Sequence, residues 1–266
     1  DLMRAALKKM GAPEDLVIGI ETPSLETTNE LMRQCDLVLA TGGGAMVHAA
    51  YSSGTPALGV GVGNAVITVD DTADLDAAAE KIRLSKTLDL AASCSSDNAV
   101  VLLDDIYEPM LEKLKAQGGY LCNEEEKAAL RSTLWDDELH INTAMVAQPP
   151  KKIAQMAGLS IPEGVNFFIV PEDGWGTAHP FSGEKLSVIM ALYRARDIDH
   201  AIELTQNIQA YQGQGHSCGI YSTSDANIMK LAEHTYTSRV MVNQPQSASN
   251  SGNVWNGMRQ TFSLGC

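Results

Sequence analysis

Short apolar runs alternate with amphipathic segments along this chain. Apolar positions spaced three or four residues apart predict helices, and short continuous apolar runs predict buried strands. Over residues 1–90 the predicted helices are 2–10, 24–34, 45–52 and 74–90, and the predicted strands are 15–20, 37–40, 56–61 and 66–69. Strands that alternate with helices indicate a parallel α/β sheet covered on both faces.

The same alternation continues in the second part of the chain. The predicted helices are 106–117, 124–134, 151–157, 198–210 and 225–235, and the predicted strands are 98–103, 166–170, 188–194, 218–221 and 240–243. The segment 244–257 is rich in Ser, Asn, Gln and Gly, and we expect a loop there. The chain opens in a helix and stops without a closing element, so we also expect a fragment of a longer subunit.

Composition narrows the possible functions. The net charge is −14 and the basic residues are scattered, which argues against binding to nucleic acid. No apolar run reaches the ~20 residues of a membrane helix, so we expect no membrane partner. The five cysteines form no CxxC pair, and with the six histidines they show no zinc spacing. We therefore expect no metal site and a reducing, cytoplasmic location.

Cys94 is the residue with the most evident chemistry. It lies in a polar loop of small residues between the predicted helix 74–90 and the predicted strand 98–103. A thiol presented in this way can meet a substrate, and as a thiolate it is a strong nucleophile. The alternative is a small, buried and inert cysteine.

Two glycine-rich segments follow predicted strands. Thr41-Gly42-Gly43-Gly44 leads into a helix and offers backbone N–H groups to a phosphate or carboxylate. It is an incomplete dinucleotide fingerprint, and a tight turn that needs glycine for positive φ is the alternative. The second cluster, 59–64, allows a backbone to approach a ligand or the Cys94 loop closely, although a kinked strand fits it equally.

Several motifs in this order resemble the aldehyde dehydrogenase superfamily, and specifically its coenzyme A-acylating branch. The motifs are Ile20-Glu-Thr-Pro-Ser-Leu-Glu, Leu39-Ala-Thr-Gly-Gly-Gly-Ala-Met-Val, Pro56-Ala-Leu-Gly-Val-Gly-Val-Gly-Asn, Ser85-Lys-Thr, Glu184-Lys-Leu-Ser, Gly215-His-Ser-Cys and Ser263-Leu-Gly-Cys. The resemblance implies part of a Rossmann-type cofactor domain at 1–84, followed by an α/β catalytic domain at 85–266. It also implies a homo-oligomer.

The resemblance assigns roles to particular residues. Cys94 matches the family's nucleophile, which attacks an aldehyde and carries the acyl group as a thioester. Backbone N–H groups near Cys94 are expected to stabilise the oxyanion. Glu184 matches the carboxylate that holds a ribose of the cofactor, NAD or NADP, and Thr41 to Gly44 match the turn on the nicotinamide side. For Glu184 the alternative is a solvated loop glutamate.

The acyl acceptor and the substrate are further expectations. Hydrolytic members carry a water-activating glutamate where this chain has Gly59, so we expect coenzyme A as the acceptor. The polar loop after residue 243 resembles that of members that oxidise sulfoacetaldehyde, with Asn243, Ser247 and Arg259 as candidate substrate residues. Acetaldehyde or another short aldehyde is the alternative, and so is a loop that only packs.

Three further interpretations remain open. His216 and Cys218 are close in sequence, but we favour packing over a catalytic pair because no third partner is defined. A non-acylating dehydrogenase that positions water by another residue is a rival within catalysis. A homologue that has only a structural or assembly role is the rival outside catalysis.

Overall fold

A computed structural model describes residues 1–253 and 255–261. The motif at 263–266 therefore lies outside the described residues. The chain divides into two compact units, each with its own internal contacts. One consists of residues 1–40 and 45–59, and the other of residues 41–44 and the described residues from 60 onward. Residues 60–84, which the sequence assigned to a cofactor domain, thus pack with the second unit. The cofactor and catalytic roles of the two parts stay predictions.

The first unit contains all but one of the helices and strands that the sequence predicts for it. They are α1 (Leu2–Lys9), α2 (Leu25–Gln34), β1 (Val38–Thr41), α3 (Gly44–Tyr51) and β2 (Ala57–Val60). Ser24 caps α2, because its hydroxyl accepts a hydrogen bond from the backbone N–H of Thr27 at 3.0 Å. The predicted strand 15–20 is wrong: Glu14–Leu16 form a 3₁₀ turn, and Val17 and Ile18 are exposed. An apolar run becomes a strand only where a neighbouring strand takes up its backbone hydrogen bonds.

The second unit is built on one sheet. Within the described residues its strands run in the order β5-β6-β7-β4-β3-β8-β9, and every neighbouring pair is parallel. The elements are β3 (Ala65–Val69), α4 (Leu75–Thr87), β4 (Asp97–Leu103), α5 (Tyr107–Ala116), β5 (Gly119–Leu121), α6 (Glu124–Leu134), α7 (Pro150–Ala157), β6 (Phe167–Pro171), β7 (Ile189–Ala195), α8 (Ile198–Tyr211), β8 (Gly215–Tyr221), α9 (Asp225–His234), β9 (Thr237–Val242) and α10 (Gln246–Ser249). All positions of β3 and β4 are buried, as expected for a parallel sheet with covered faces. The α/β prediction is confirmed.

Three local differences from the predicted elements bear on the site. The helix predicted to reach residue 90 ends at Thr87, and Asp89, Leu90 and Ala91 have positive φ of 48°, 53° and 61°. The short helix α10 forms inside the segment predicted as a loop. Strand β5 has only three residues, too few for a periodic pattern, and was missed.

The parallel sheet determines where loop residues meet. The segments that precede β3, β4, β7 and β8 all reach the amino-terminal edge of the sheet, and Cys94 lies in the segment before β4. Residues that lie far apart in the sequence can therefore come together at this edge. No helix among the described residues is both long enough and apolar enough to cross a membrane.

Candidate active site

A thiol and an imidazole meet at the amino-terminal edge of the sheet. Cys94 Sγ lies 3.2 Å from His216 Nε2, within hydrogen-bond distance. His216 is the second residue of β8 and is buried, with its Nδ1 2.9 Å from Ser217 Oγ. A neutral imidazole that donates from Nδ1 to this hydroxyl has its Nε2 lone pair directed at the thiol. The pair is therefore arranged for transfer of the thiol proton to His216.

Gly63 allows the segment before β3 to approach Cys94 closely. A Cβ atom at position 63 would lie 2.4 Å from the Cys94 carbonyl oxygen and 2.7 Å from the Cys94 Cβ. Only glycine fits without displacing the nucleophile. Of the two interpretations of the glycine cluster 59–64, close approach to the Cys94 loop is confirmed at this residue.

Glu184 lies beside the same backbone. Its Oε1 accepts a hydrogen bond from the Gly63 N–H at 3.1 Å, and its own backbone N–H donates to Gln212 Oε1 at 2.9 Å. Among the described residues, Oε2 has no hydrogen-bond partner. Glu184 is thus not a freely solvated loop glutamate, since one oxygen is held in place and the other remains able to accept.

Two buried asparagines hold the segment that carries Glu184. The Asn64 side-chain amide donates to the Ser182 and Gln212 carbonyls at 2.7 and 3.1 Å. Asn98 donates to Asn64 Oδ1 at 2.5 Å and to the Gly183 carbonyl at 2.6 Å. Because buried amides are costly to leave unpaired, these bonds fix the segment relative to the starts of β3 and β4.

Burial and charge keep the reacting groups neutral. Burial raises the pKa of the Cys94 thiol, and the nearby Glu184 carboxylate raises it further. Burial lowers the pKa of His216 to about 4, with the positive charge of Arg239 acting in the same direction. Burial also raises the pKa of Glu184 to about 7, against the hydrogen bond from Gly63. At neutral pH the resting centre is therefore a thiol beside an uncharged imidazole.

Backbone donors also face the sulfur. The N–H groups of Cys94 and Ser95 oppose the rise in the pKa of the thiol, because they interact favourably with the thiolate. The hydroxyl of Ser93 accepts a hydrogen bond from the Ser95 N–H at 3.3 Å. Donors in this position could stabilise negative charge that develops next to Cys94.

The turn from Thr41 to Gly44 joins β1 to α3 as the sequence predicts. None of its three glycines has positive φ, so the tight-turn alternative does not account for them. A Cβ at Gly43 or Gly44 would meet nothing within 4 Å, whereas the Gly42 N–H is already bonded to the Val60 carbonyl at 3.0 Å. The accessible backbone of the turn is at Gly43 and Gly44, and its cofactor role stays a prediction.

Comparison with known proteins agrees with this geometry. The model of the aldehyde dehydrogenase family matches residues 2–122. Over 270 residues the chain is 41% identical to a sulfoacetaldehyde dehydrogenase (acylating) from Bilophila wadsworthia, covering 100% of this chain and 58% of that protein. The chain is thus similar to members of the aldehyde dehydrogenase family, acylating ones among them.

Solved structures of acylating family members are similar as well. An acetylating aldehyde dehydrogenase from Geobacillus thermoglucosidasius superposes with a TM-score of 0.95 at 36% identity, over 100% of this chain and 59% of that one. A propionaldehyde dehydrogenase from Rhodopseudomonas palustris, solved with bound propionyl-CoA, gives 0.87 at 26% identity, over 98% and 57%. The chain spans less than two thirds of the length of the curated relatives that it matches.

The three predicted substrate residues lie in different surroundings. Asn243 follows the carboxyl end of β9, at the edge of the sheet opposite to the one Cys94 occupies, and its side chain is bonded to the Ser222 backbone at 2.8 and 3.0 Å. Ser247 donates to the Ser85 carbonyl at 2.8 Å, and Arg259 is exposed. The structure does not bring Asn243 to the nucleophile.

The sequence does not predict the contact between His216 and Cys94. It favours packing for His216 and Cys218; both are buried, and Cys218 Sγ lies 3.5 Å from two threonine hydroxyls. A catalytic role of His216 stays a proposal. Residues two positions apart in a strand, such as His216 and Cys218, point to the same face of the sheet. The sequence signal for the contact with Cys94 is that His216 lies at the start of a strand, at the sheet edge that the Cys94 loop also reaches.

One cluster of two carboxylates and a histidine elsewhere in the chain has the spacing of metal ligands. Glu172, Asp173 and His179 offer ligand atoms within 4.8 Å of one another. However, Lys127 Nζ lies 3.2 Å from Glu172 Oε1, and His179 Nδ1 lies 2.9 Å from Oε2. Both Glu172 oxygens thus already have cationic or donor neighbours, which account for the close spacing of the cluster.

Proposed function

We propose that this chain carries the reacting centre of a coenzyme A-acylating aldehyde dehydrogenase that oxidises a short aldehyde to an acyl-CoA. The observation that carries the proposal is the 3.2 Å contact between Cys94 Sγ and His216 Nε2, on the chain's one cysteine that faces a neighbouring base among the residues described. The name of the Bilophila relative and the propionyl-CoA in the Rhodopseudomonas structure support it.

Cys94 and His216 account for the first covalent step. The thiol is protonated in the resting enzyme, so attack on the aldehyde carbon requires that its proton move to His216 Nε2. The sulfur then forms a bond to the carbonyl carbon, and the carbonyl oxygen gains negative charge. We expect the backbone N–H groups of Cys94 and Ser95 to stabilise that charge. The product is the thiohemiacetal of Cys94 in its anionic form.

The residues present fit a nicotinamide dinucleotide. Glu184 keeps Oε2 available to accept from a ribose hydroxyl while Oε1 is held by Gly63. Gly43 and Gly44 leave open space above their backbone. When bound, the dinucleotide would supply the hydride acceptor that turns the thiohemiacetal into a thioester. We propose NAD or NADP without choosing between them.

Coenzyme A is the acyl acceptor that the chain favours. A Cβ at Gly59 would lie 2.6 Å from Val47 Cγ1 and 2.8 Å from the Tyr51 ring, so no side chain can grow from that position to activate water. Losing a general base costs hydrolysis roughly 10²–10⁴-fold, whereas a thiol is a better nucleophile towards a thioester. Coenzyme A would attack as the thiolate, its proton having gone to solvent, and would release Cys94 as a thiolate that can recover its proton from His216.

Sulfoacetaldehyde is the substrate that we propose first, with acetaldehyde as the alternative. The specific support is the Bilophila sulfoacetaldehyde dehydrogenase, together with the polar segment that contains Ser247. A sulfonate needs several hydrogen-bond donors and preferably a cation. We also propose a cytoplasmic location and a homo-oligomer. Light scattering of the purified protein would test the oligomeric state.

The decisive experiment measures nicotinamide reduction by the full-length protein with sulfoacetaldehyde, acetaldehyde and propionaldehyde, each with and without coenzyme A. We expect reduction that depends on coenzyme A and is most efficient with sulfoacetaldehyde. Cys94→Ala should abolish turnover, while the matched variant Cys218→Ala should retain it. Acid formation without coenzyme A would favour the non-acylating rival, and an inactive but folded protein would favour the structural one.

A further inference from the structure

Ser85 lies where three segments of the second unit meet. It is in the last turn of α4 and is fully buried. Its hydroxyl donates to Asp97 Oδ1 at 2.8 Å and accepts from the Ser247 N–H at 3.0 Å. Its carbonyl accepts from Ser96 Oγ at 3.1 Å and from Ser247 Oγ at 2.8 Å. One residue therefore contacts both the Cys94 segment and α10.

The chain between α4 and Cys94 needs such external contacts. Asp89, Leu90 and Ala91 adopt the left-handed conformation in succession, which is unfavourable for L residues with side chains. A segment of this kind keeps its geometry only when its surroundings impose it. Ser96 and Asp97 lie two and three positions after Cys94, and their two hydrogen bonds to Ser85 hold the segment from its other end.

Helix α10 has no side-chain cap of its own at its amino terminus. Pro245 precedes the helix and offers no side chain to cap it. The Ser247 N–H, at the start of α10, is satisfied instead by the Ser85 hydroxyl from another helix. Because this hydroxyl has a single proton, it can accept from Ser247 and donate to Asp97 at the same time only in one orientation. The two contacts are thus made by the same group.

We propose that Ser85 is a positioning residue for Cys94, which ties α10 to the nucleophile segment and keeps the thiol beside His216. The inference rests on the proposed role of Cys94 as the reacting thiol. It predicts that a change in α10, which is remote in sequence from Cys94, alters the reactivity of that thiol. A residue that only supports the fold would lower thermal stability without this effect.

The test measures alkylation of Cys94 by iodoacetamide between pH 6 and 10 in the full-length protein, with the modified cysteine identified by mass spectrometry. We expect Ser85→Ala to slow alkylation at pH 7 by about threefold or more, because the thiol moves away from its base. Ser247→Ala keeps the Ser85 hydroxyl but removes the bond from Ser247 Oγ to the Ser85 carbonyl, and it should also slow alkylation of Cys94. Ser132→Ala is the matched control, since its hydroxyl bonds only to the Ala129 carbonyl of its own helix.

Each outcome decides the proposal. An unchanged alkylation profile in Ser247→Ala overturns it, even if Ser85→Ala proves too unstable to purify. An unchanged profile in a folded Ser85→Ala overturns it as well, whereas restored reactivity in Ser85→Thr supports it. Alkylation needs no aldehyde, nicotinamide or coenzyme A, so this result stands apart from a failure of the proposed activity. If iodoacetamide labels another cysteine instead of Cys94, the result contradicts the proposed role of Cys94 as the reacting thiol.

Discussion

Gly63→Ala is the sharpest test of the site geometry. The new Cβ would lie 2.4 Å from the Cys94 carbonyl oxygen, where ordinary contact begins at 3.4 Å, so one backbone must move by about 1 Å. Gly63 does not have positive φ, and the substitution therefore carries no backbone strain of its own. The strain falls on Cys94. A displacement of this size at a reacting group costs on the order of 10²-fold in rate, and overpacking costs about 1–3 kcal/mol in stability.

The assay is kcat/KM for the aldehyde with coenzyme A and nicotinamide, followed with the thermal midpoint. Gly61→Ala is the matched control, because a Cβ at that position in the same loop meets nothing within 4 Å. We expect Gly61→Ala to retain wild-type activity and Gly63→Ala to lose about 10²-fold while remaining folded. Equal activity in the two variants would refute the view that this close approach positions the nucleophile.

Three further predictions follow from the same contacts. Glu184→Gln removes a negative charge that raises the pKa of the Cys94 thiol, so alkylation at pH 8 should become faster; slower alkylation would contradict the charge effect. His216→Asn should lower kcat/KM by roughly 10²–10⁴ at pH 7.5, and a loss below threefold would exclude a proton-transfer role. Asn64→Ala leaves buried carbonyls unpaired and should lower the free energy of unfolding by about 2–4 kcal/mol, seen as a lower urea midpoint; an unchanged midpoint would show that these bonds contribute little.

The elements that the sequence predicts well are those whose pattern is local. The helix over 124–134 is reproduced residue for residue, because Asn123 and Glu126 form a capping box that sets its start. Strand β4 likewise contains an uninterrupted apolar run, at 99–103. Residues 15–20 carry a similar run but form no strand, since strand formation depends on neighbours that a local pattern does not describe. The end of α4 was missed because no glycine or proline marks the left-handed residues 89–91.

The site residues, too, could be predicted where the signal is local and not where it depends on strand order. Cys94 and Glu184 could be proposed from motifs, and the structure places both next to Gly63. His216 could not, because its contact with Cys94 depends on β8 lying next to β3, and strand order is not written in the apolar pattern. Asn243 failed to reach the nucleophile for the same reason: being near the end of a strand leaves open which edge of the sheet that end occupies.

The neutral resting state keeps Cys94 in the less reactive thiol form at neutral pH. With the pKa of His216 near 4 and that of the thiol raised, the pair does not exist as thiolate and imidazolium at neutral pH. Glu184 helps to maintain this state, because its charge disfavours the thiolate. A ribose hydroxyl that donates to Glu184 would draw part of that charge away from Cys94. If Glu184 binds a ribose as we propose, cofactor binding would thereby favour ionisation of Cys94, so that the thiol gains reactivity at the stage when a hydride acceptor is present.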